Sequence, residues 1–515
     1  MGRITVFALE ECPHCRRAKS ALKERSIPYV EVSLTTHPNR RSDMISLSDR
    51  LSVPQVFFNE QHVGGADDTL QLLAEWDKDT SKTPQQKYQD EIAAQPDPAD
   101  ARLKESTDPP VVPKEPLPRD AADNIQLPDG STITVLDLVE KKLKPILSGQ
   151  RKSTLFLTTY KHTFTGAEAV QALAKEFNCK ETEAVDFGKV LMEREIIQPV
   201  GGHAKEFKES PTHLLRLQCY HTPHILNSYR VWNTRVDPDA MAVITRLKKL
   251  LGKVESAVTN DEGLVHYIQA TQHEHYPIFE EAVCELQGMD LAKLDRNAMI
   301  AFGINAYNVF IKYAFIKVGI YNDPFALLAY FFQIKFDIGG HLFGFHDLES
   351  GILRGNRNAP YALSPPIPKN DPRLAFMVQD VDNRIHFGLN CGARSCPPGL
   401  SYPPDYLKSF TAEGIEEELR IVAMSFAEDD DNVHVDSDKR ILSFSQIINW
   451  YRIDFAPSNK ELPQTIVQFL RGDKKDKLQD MIDDGKRIKI KFLPYDWTTN
   501  AQKDGFLPFK KANIQ

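Results

Sequence analysis

The sequence predicts a multidomain chain: an α/β layer domain, then an α+β domain of helices with a closing strand pair, then a mixed, mainly helical α+β C-terminal domain. Three observations carry this expectation. The chain has 515 residues, which allows about three domains at roughly 100–200 residues each. Residues 1–77 alternate strand and helix signals. Residues 78–124 then change character, with Pro84, Pro96, Pro98, Pro109, Pro110, Pro113, Pro116 and Pro118 set among Lys, Asp, Glu and Gln. A stretch of that composition buries too little apolar surface to order itself. The expected boundaries are therefore 1–78, a Pro-rich charged linker over 79–124, 125–220 and 221–515.

In the first domain, Ile4–Leu9 is an apolar β-rich run and Pro13–Arg25 collects helix formers, with Ala18, Ala21 and Leu22 on one side. Tyr29–Val32 reads as a strand and Pro38–Arg50 as a helix. Gln55–Phe58 and Gln61–Val63 flank Asn59-Glu60 as a hairpin, and Asp68–Trp76 forms a last helix. In the second, Leu136–Leu147, Gly166–Phe177 and Glu183–Glu193 are amphipathic helices. Ile196–Val200 and His213–Leu217 alternate as a strand pair around the polar wing Gly201–Pro211. In the third, Asp237–Val258, Leu264–Gln287 and Arg296–Val318 read as helices, followed by short mixed elements.

Composition narrows the function. Hydrophobic residues make up 41% and charged residues 26%, ordinary for soluble globular protein. A net charge of -8 implies no bulk affinity for nucleic acid or anionic membrane. Met1–Leu9 runs straight into Glu10-Glu11 and reads as no secretory signal. The most apolar region, Ala298–Phe336, is interrupted by Asn305, Asn308, Lys312, Lys317, Asn322, Asp323 and Pro324, so buried helices are expected there. The cysteines, at 12, 15, 179, 219, 284, 391 and 396, are odd in number and sparse. They make a poor disulfide framework and suit a reducing, cytoplasmic setting. With a single CxxC and no second one to complete a four-ligand zinc set, redox chemistry is favoured over metal, and no metal ligands are assigned.

That CxxC is Cys12-Pro13-His14-Cys15, placed where strand gives way to helix. Unpaired amides and the dipole at a helix N-terminus stabilise an anion, so a Cys12 thiolate is favoured and its pKa is expected below that of a free thiol. Pro13 suits the first helical position, and a protonated His14 would favour the thiolate further. Cys15, one turn on, is expected to be more buried and to act as the resolving thiol, displacing whatever Cys12 captures. Ser52-Val53-Pro54 precedes a strand; a cis proline there presents the Val53 backbone beside the thiols. Gly64-Gly65-Ala66-Asp67-Asp68 opens a helix whose amides can hold a carboxylate, while Asp67 can pair with an ammonium. Glutathione has both groups.

CPHC followed by SVPQVFFNEQHVGGADD resembles the glutaredoxin family, with its CPYC, TVP and GG-x-D-D motifs, over about residues 1–78. The resemblance implies a thioredoxin-like fold and glutathione-dependent reduction of disulfide-bonded or glutathionylated proteins. By motif, Cys12 is the nucleophile and Cys15 the resolving thiol. Val53, Pro54, Gly65, Asp67 and Asp68 line the glutathione site. His14 replaces the family's tyrosine, Ser52 a threonine, and Leu9 a lysine that in many members helps hold the thiolate. A redox-inactive binding domain and an iron–sulfur site are the lesser alternatives.

Lys141, Lys142, Lys144, Arg151, Lys152 and Lys161 fall in a window without acidic residues; this is a basic face for anionic lipid or a solvated helix face. LFLTTYKHTFTGAEAV, LMEREIIQPV and HLLRLQ resemble the DEP domain family over about residues 130–218. That resemblance implies a winged-helix-like α+β fold and a signalling adaptor role through membrane-surface or receptor contact, which would place the chain peripherally at a membrane. Phe207, on the wing, is a candidate contact. In the C-terminal block, Asn305 and Asn308 share a helix face and are expected to be buried and hydrogen-bonded. His346 or His386 with Cys391 or Cys396 could form a nucleophile–base pair, against inert thiols in a structural turn after a strand. INAYN, the H-x-L-E-x-G-x-L-R stretch and LNCGARSCPP resemble domain-of-unknown-function 547 over about residues 290–430, which implies no established activity. Two functions thus stand: a glutathione-dependent thiol–disulfide oxidoreductase joined to a docking module, or a signalling adaptor whose first domain senses redox state.

Overall fold

β1 (Ile4–Ala8), apolar except for Thr5, is buried at every position, and a strand covered on both faces belongs at the centre of a sheet. It pairs parallel with β2 (Val30–Ser33) and antiparallel with β3 (Gln55–Phe58). β4 (Gln61–Gly64) closes the hairpin, giving the order β2-β1-β3-β4. Helices α1 (Pro13–Glu24), α2 (Arg40–Ser48) and α3 (Ala66–Lys78) complete the first domain. α3 buries Ala66, Thr69, Leu73 and Trp76, the three-and-four spacing of one helix face. The structure, a computed structural model, describes residues 1–9, 12–34, 36–37, 40–50, 53–78, 81–105, 124–147, 149–152, 159–200, 205–232, 239–321, 323–397 and 409–510.

The expected linker departs from its composition. Residues 81–105 form the short helices Pro84–Lys87, Tyr88–Ala93 and Ala101–Leu103, with Tyr88, Ile92, Ala93 and Leu103 buried. They strap the first domain. Gly2 N–H donates to Gln95 O at 2.7 Å, Thr5 Oγ1 to Leu103 O at 2.6 Å, and Arg40 Nη2 to Arg102 O at 2.6 Å. A few well-spaced apolar anchors suffice because Gly2, β1 and α2 supply their partners. The rest of the expected linker, 106–123, lies outside the described residues.

The middle module follows its motif. Its strands Thr163–Thr165, Ile197–Pro199 and Leu214–Leu217 form one antiparallel sheet with the last in the centre. Thr165 caps the helix Gly166–Glu176: its hydroxyl accepts from Glu168 N at 3.2 Å, and Glu168 Oε2 accepts from Thr165 N at 2.8 Å, a reciprocal capping box. Gly166 between them has a packing reason, since a Cβ there would lie 1.8 Å from Lys208 O. Phe207 is buried, with its ring 2.4 Å from where a Cβ on Gly188 would sit. It is core and not the exposed contact expected of a wing aromatic. Residues 201–204 of the expected wing lie outside the described residues.

The boundary at 220/221 is not observed. Tyr229 and Cys284 join the same apolar core as Leu173 and Leu191, and Tyr229 OH donates to Glu140 Oε1 at 2.6 Å. The chain divides into two compact units: Met1–Glu115 with Thr259–Val265 and Val381–Asn500, and Pro116–Val258 with His266–Asp380 and Ala501–Gln515. The expected C-terminal domain is therefore shared between them. In the second unit the helix Arg296–Val318 is buried along nearly its whole length. It is long and apolar enough to cross a membrane, with mean hydropathy 1.3, yet lies inside the protein. Its polar residues are partnered: Lys312 Nζ meets Glu255 at 3.0 Å and Asn305 accepts from Lys248 Nζ at 3.2 Å. The expected helix Leu264–Gln287 is broken into Tyr267–Ala270, His275–Ala282 and Val283–Gly288. In the first unit, Asn383–Phe387 is a short helix where a strand was expected.

Gly166→Ala is expected to destabilise the middle module by about 1–3 kcal/mol, because the intruding methyl meets backbone that cannot swing away. Faster hydrogen exchange across Gly166–Glu176, with that of α1 and α3 unchanged, is the measurement.

Candidate active site

The β1–β3 register assembles the site. Phe7 pairs with Gln55, so the loop leaving β1 and the loop entering β3 emerge at one end of the sheet. Gly64 pairs with Val56, which brings the start of α3 to that end too. The three sequence motifs thus converge, although they are spread from residue 12 to residue 68.

Cys12 is the N-cap of α1, with extended backbone, and Pro13 occupies the first turn. Its sulfur accepts the Cys15 N–H at 2.9 Å. A donor aimed at the sulfur from the positive end of a helix favours the thiolate over the thiol. Cys15 sits one turn on. The expected difference in burial does not appear, since Cys12 is 1% exposed and Cys15 0%. The Cys12 sulfur receives a backbone amide at the start of α1.

His14 is half-buried. Burial first, and the nearby Arg17 second, hold its pKa below the ordinary 6.5, with Asp67 opposing. Its imidazole is therefore neutral at neutral pH, and the expected help from a charged His14 is corrected. Arg17, which the motif comparison passed over, supplies positive charge on the same helix. It forms an ion pair with Asp67 that ties α1 to α3. The Arg16-Arg17 pair directly after the motif was its only signal in the sequence.

The Val53–Pro54 bond is cis, and both residues are buried. At the start of α3, Asp68 Oδ2 accepts the Gly65 N–H at 2.8 Å, and Thr69 Oγ1 donates to Gly65 O at 2.7 Å. Asp68 is thus engaged in its own helix cap. The Asp67 side chain, 83% exposed, is the carboxylate that faces solvent.

The second candidate cluster is rearranged. His386 Nε2 meets the buried Asp454 carboxylate at 2.8 Å and stacks on Tyr451, with centroids 4.1 Å apart. Cys391 and Cys396 instead face each other, 3.1 Å apart, beside Tyr495. His346 belongs to the other compact unit. Burial lowers its pKa, and it packs against Phe332 and Tyr361. Asn390 and Tyr495 carried no sequence signal of belonging to one site.

A helix-capping cysteine, a second cysteine one turn later and a cis-proline loop on a four-stranded mixed sheet define a thioredoxin-like dithiol module. Comparison with known proteins agrees. The family model "Glutaredoxin" matches residues 4–63. Glutaredoxin 3 of Escherichia coli strain K12 is 36% identical over 74 residues, 14% of this chain and 89% of that protein. The glutaredoxin of Pseudomonas aeruginosa is 31% identical over 68 residues, 13% of this chain and 81% of the relative. Glutaredoxin-C4 of Arabidopsis thaliana is 40% identical over 72 residues, 13% and 53%. Through its first domain the chain belongs to the glutaredoxin family. Two further models match: the domain found in Dishevelled, Egl-10 and Pleckstrin (DEP) over 149–217, and the protein of unknown function DUF547 over 291–427. The chain therefore carries a thiol oxidoreductase module and a DEP domain.

Because His14 is neutral near pH 7, His14→Tyr is expected to change the reduction rate by no more than about twofold there. The sign for stability follows from the depressed pKa. The unfolded chain takes the proton first, so the contribution of neutral His14 is complete above about 6.5 and is lost as pH falls from there through the folded pKa. Denaturant titrations of wild type and His14→Tyr should diverge only on that acid side.

Proposed function

We propose that the protein is a glutathione-dependent thiol–disulfide oxidoreductase whose DEP domain docks it to a protein partner in intracellular signalling, in the cytoplasm. The single observation that carries the redox reading is the Cys15 N–H donated to Cys12 Sγ at 2.9 Å. In this reading Cys12 thiolate attacks the sulfur of a protein–glutathione mixed disulfide. It takes either the glutathione, releasing the protein thiol, or the protein. Where glutathione is captured, a second glutathione thiolate attacks its sulfur, giving glutathione disulfide and freeing the Cys12 thiolate. Where the protein is captured, Cys15 attacks Cys12 Sγ and releases the protein thiol, and two glutathione thiols reduce the Cys12–Cys15 disulfide that remains. Glutathione would lie with its γ-glutamyl carboxylate toward the amides at the start of α3 and its ammonium toward Asp67. Its cysteinyl backbone would pair with Val53, next to Pro54. Asp68 acts through the helix cap it makes with Gly65.

The docking reading rests on charge. Lys141, Lys142 and Lys144 are paired with Asp137 at 3.1 Å, Glu176 at 2.8 Å and Glu140 at 2.5 Å. Carboxylates from outside the basic window neutralise half of it, and this favours a protein surface over anionic lipid as the partner.

Cys12→Ser should abolish reduction of a small glutathione mixed disulfide; equal turnover by that variant would end the enzymatic reading. Asp67→Ala should raise the KM for glutathione about two- to fivefold with kcat little changed, as for loss of an exposed ion pair. In sedimentation with vesicles, the full chain should pellet no more with anionic than with neutral lipid. Pelleting specific to anionic vesicles would instead assign the DEP domain to the membrane surface.

A further inference from the structure

The turn Cys391–Cys396 is built around its two sulfurs. Asn390 Oδ1 accepts the Gly392 N–H at 2.6 Å, and Gly392 turns the chain at φ +91°, backbone that a side chain rarely adopts. Cys396 N donates to Ala393 O at 3.0 Å. The turn is then fastened to the segment 495–499. Arg394 N donates to Thr498 O at 2.7 Å, Ser395 N to Asp496 O at 3.2 Å, and Asp496 N to Ser395 Oγ at 2.8 Å. The same segment carries Tyr495, whose hydroxyl lies 3.2 Å from Cys396 Sγ and 3.8 Å from Cys391 Sγ. Trp450 and Trp497 hold its ring, with centroids at 4.8 and 4.6 Å. The Cys391 N–H donates to Cys396 Sγ at 3.2 Å, and the sulfurs are 3.1 Å apart. A bond requires about 2.05 Å, an approach of about one ångström.

We propose that Cys391 and Cys396 form a second redox centre, a dithiol that closes to a disulfide by exchange with a low-molecular-weight disulfide of the glutathione type. The two thiols divide the work by exposure. Cys391 is partly exposed, whereas Cys396 is 7% exposed, and burial with the neighbouring Cys391 pushes its thiol well above the ordinary range. Cys391 therefore attacks first. As thiolate it displaces one glutathione thiolate from glutathione disulfide and becomes a mixed disulfide. Cys396 then gives up its proton, its sulfur attacks Cys391 Sγ, and the second glutathione thiolate leaves. The protein loses two protons and two electrons, and one glutathione disulfide becomes two glutathione thiols. Burial also keeps the Tyr495 phenol protonated, so it can donate a hydrogen bond to whichever sulfur carries the charge.

The test uses the unmodified full chain and does not depend on activity at Cys12. The protein is equilibrated in buffers of graded glutathione to glutathione disulfide ratio, quenched in acid, alkylated with N-ethylmaleimide and digested with trypsin without reduction. Cleavage at Arg394 separates the two cysteines, and cleavage at Arg16 leaves Cys12 and Cys15 in a peptide of their own. The expected result is a peptide ending at Arg394 joined to the one beginning at Ser395. It should appear as the disulfide fraction rises, with loss of both alkylated forms, and should reverse on returning to glutathione. Recovery of both cysteines as alkylated peptides across the whole range overturns the proposal. So does a stable glutathione adduct on Cys391 with Cys396 still alkylated.

Discussion

The register between β1 and β3 is the constraint on which the first domain depends. Setting Phe7 opposite Gln55 fixes where three loops end, and those loops carry the capping cysteine, the cis proline and the glycine-led helix start. A slip of one residue would turn the β1 side chains to the opposite face. Because β1 is buried on both faces, the slip would also pull packed side chains from each. The chemistry at Cys12 is local, one amide and one sulfur, but the surface that would receive a ligand is a property of strand pairing.

Much of this was legible in the sequence because the signals were periodic or stereotyped. The strands and helices of the first domain, the helix Gly166–Glu176 and the long helix Arg296–Val318 all lie where pattern placed them. The failures share a cause: a partner distant along the chain. Tyr88, Ile92 and Leu103 look too sparse to fold, yet they are buried against the first domain, where Thr5 of β1 donates to Leu103 O. The basic run from Lys141 reads as cationic until Glu176, 34 residues on, is brought to Lys142. Cys391 and Cys396 are five residues apart, but Tyr495, about a hundred residues further on, completes the arrangement. A window along the sequence cannot weigh charges or hydroxyls that arrive from outside it.

The long apolar helix shows the same principle from the opposite side. By composition Arg296–Val318 would suit lipid. What commits it to a protein interior is the pairing of its polar groups, Lys312 with Glu255 and Asn305 with Lys248. A buried charge is tolerated only where a counter-charge and hydrogen bonds meet it. The second partner in both cases comes from the helix Ala240–Ala257.

The strap over residues 81–105 changes what counts as one heritable piece. A gene fragment cut where the family match ends would leave Gly2 N–H and the Thr5 hydroxyl without their acceptors and would uncover the seat of Leu103. Recombination that moved this domain into another protein would have to carry the codons for the strap along. Its portable unit is larger than the catalytic motifs suggest.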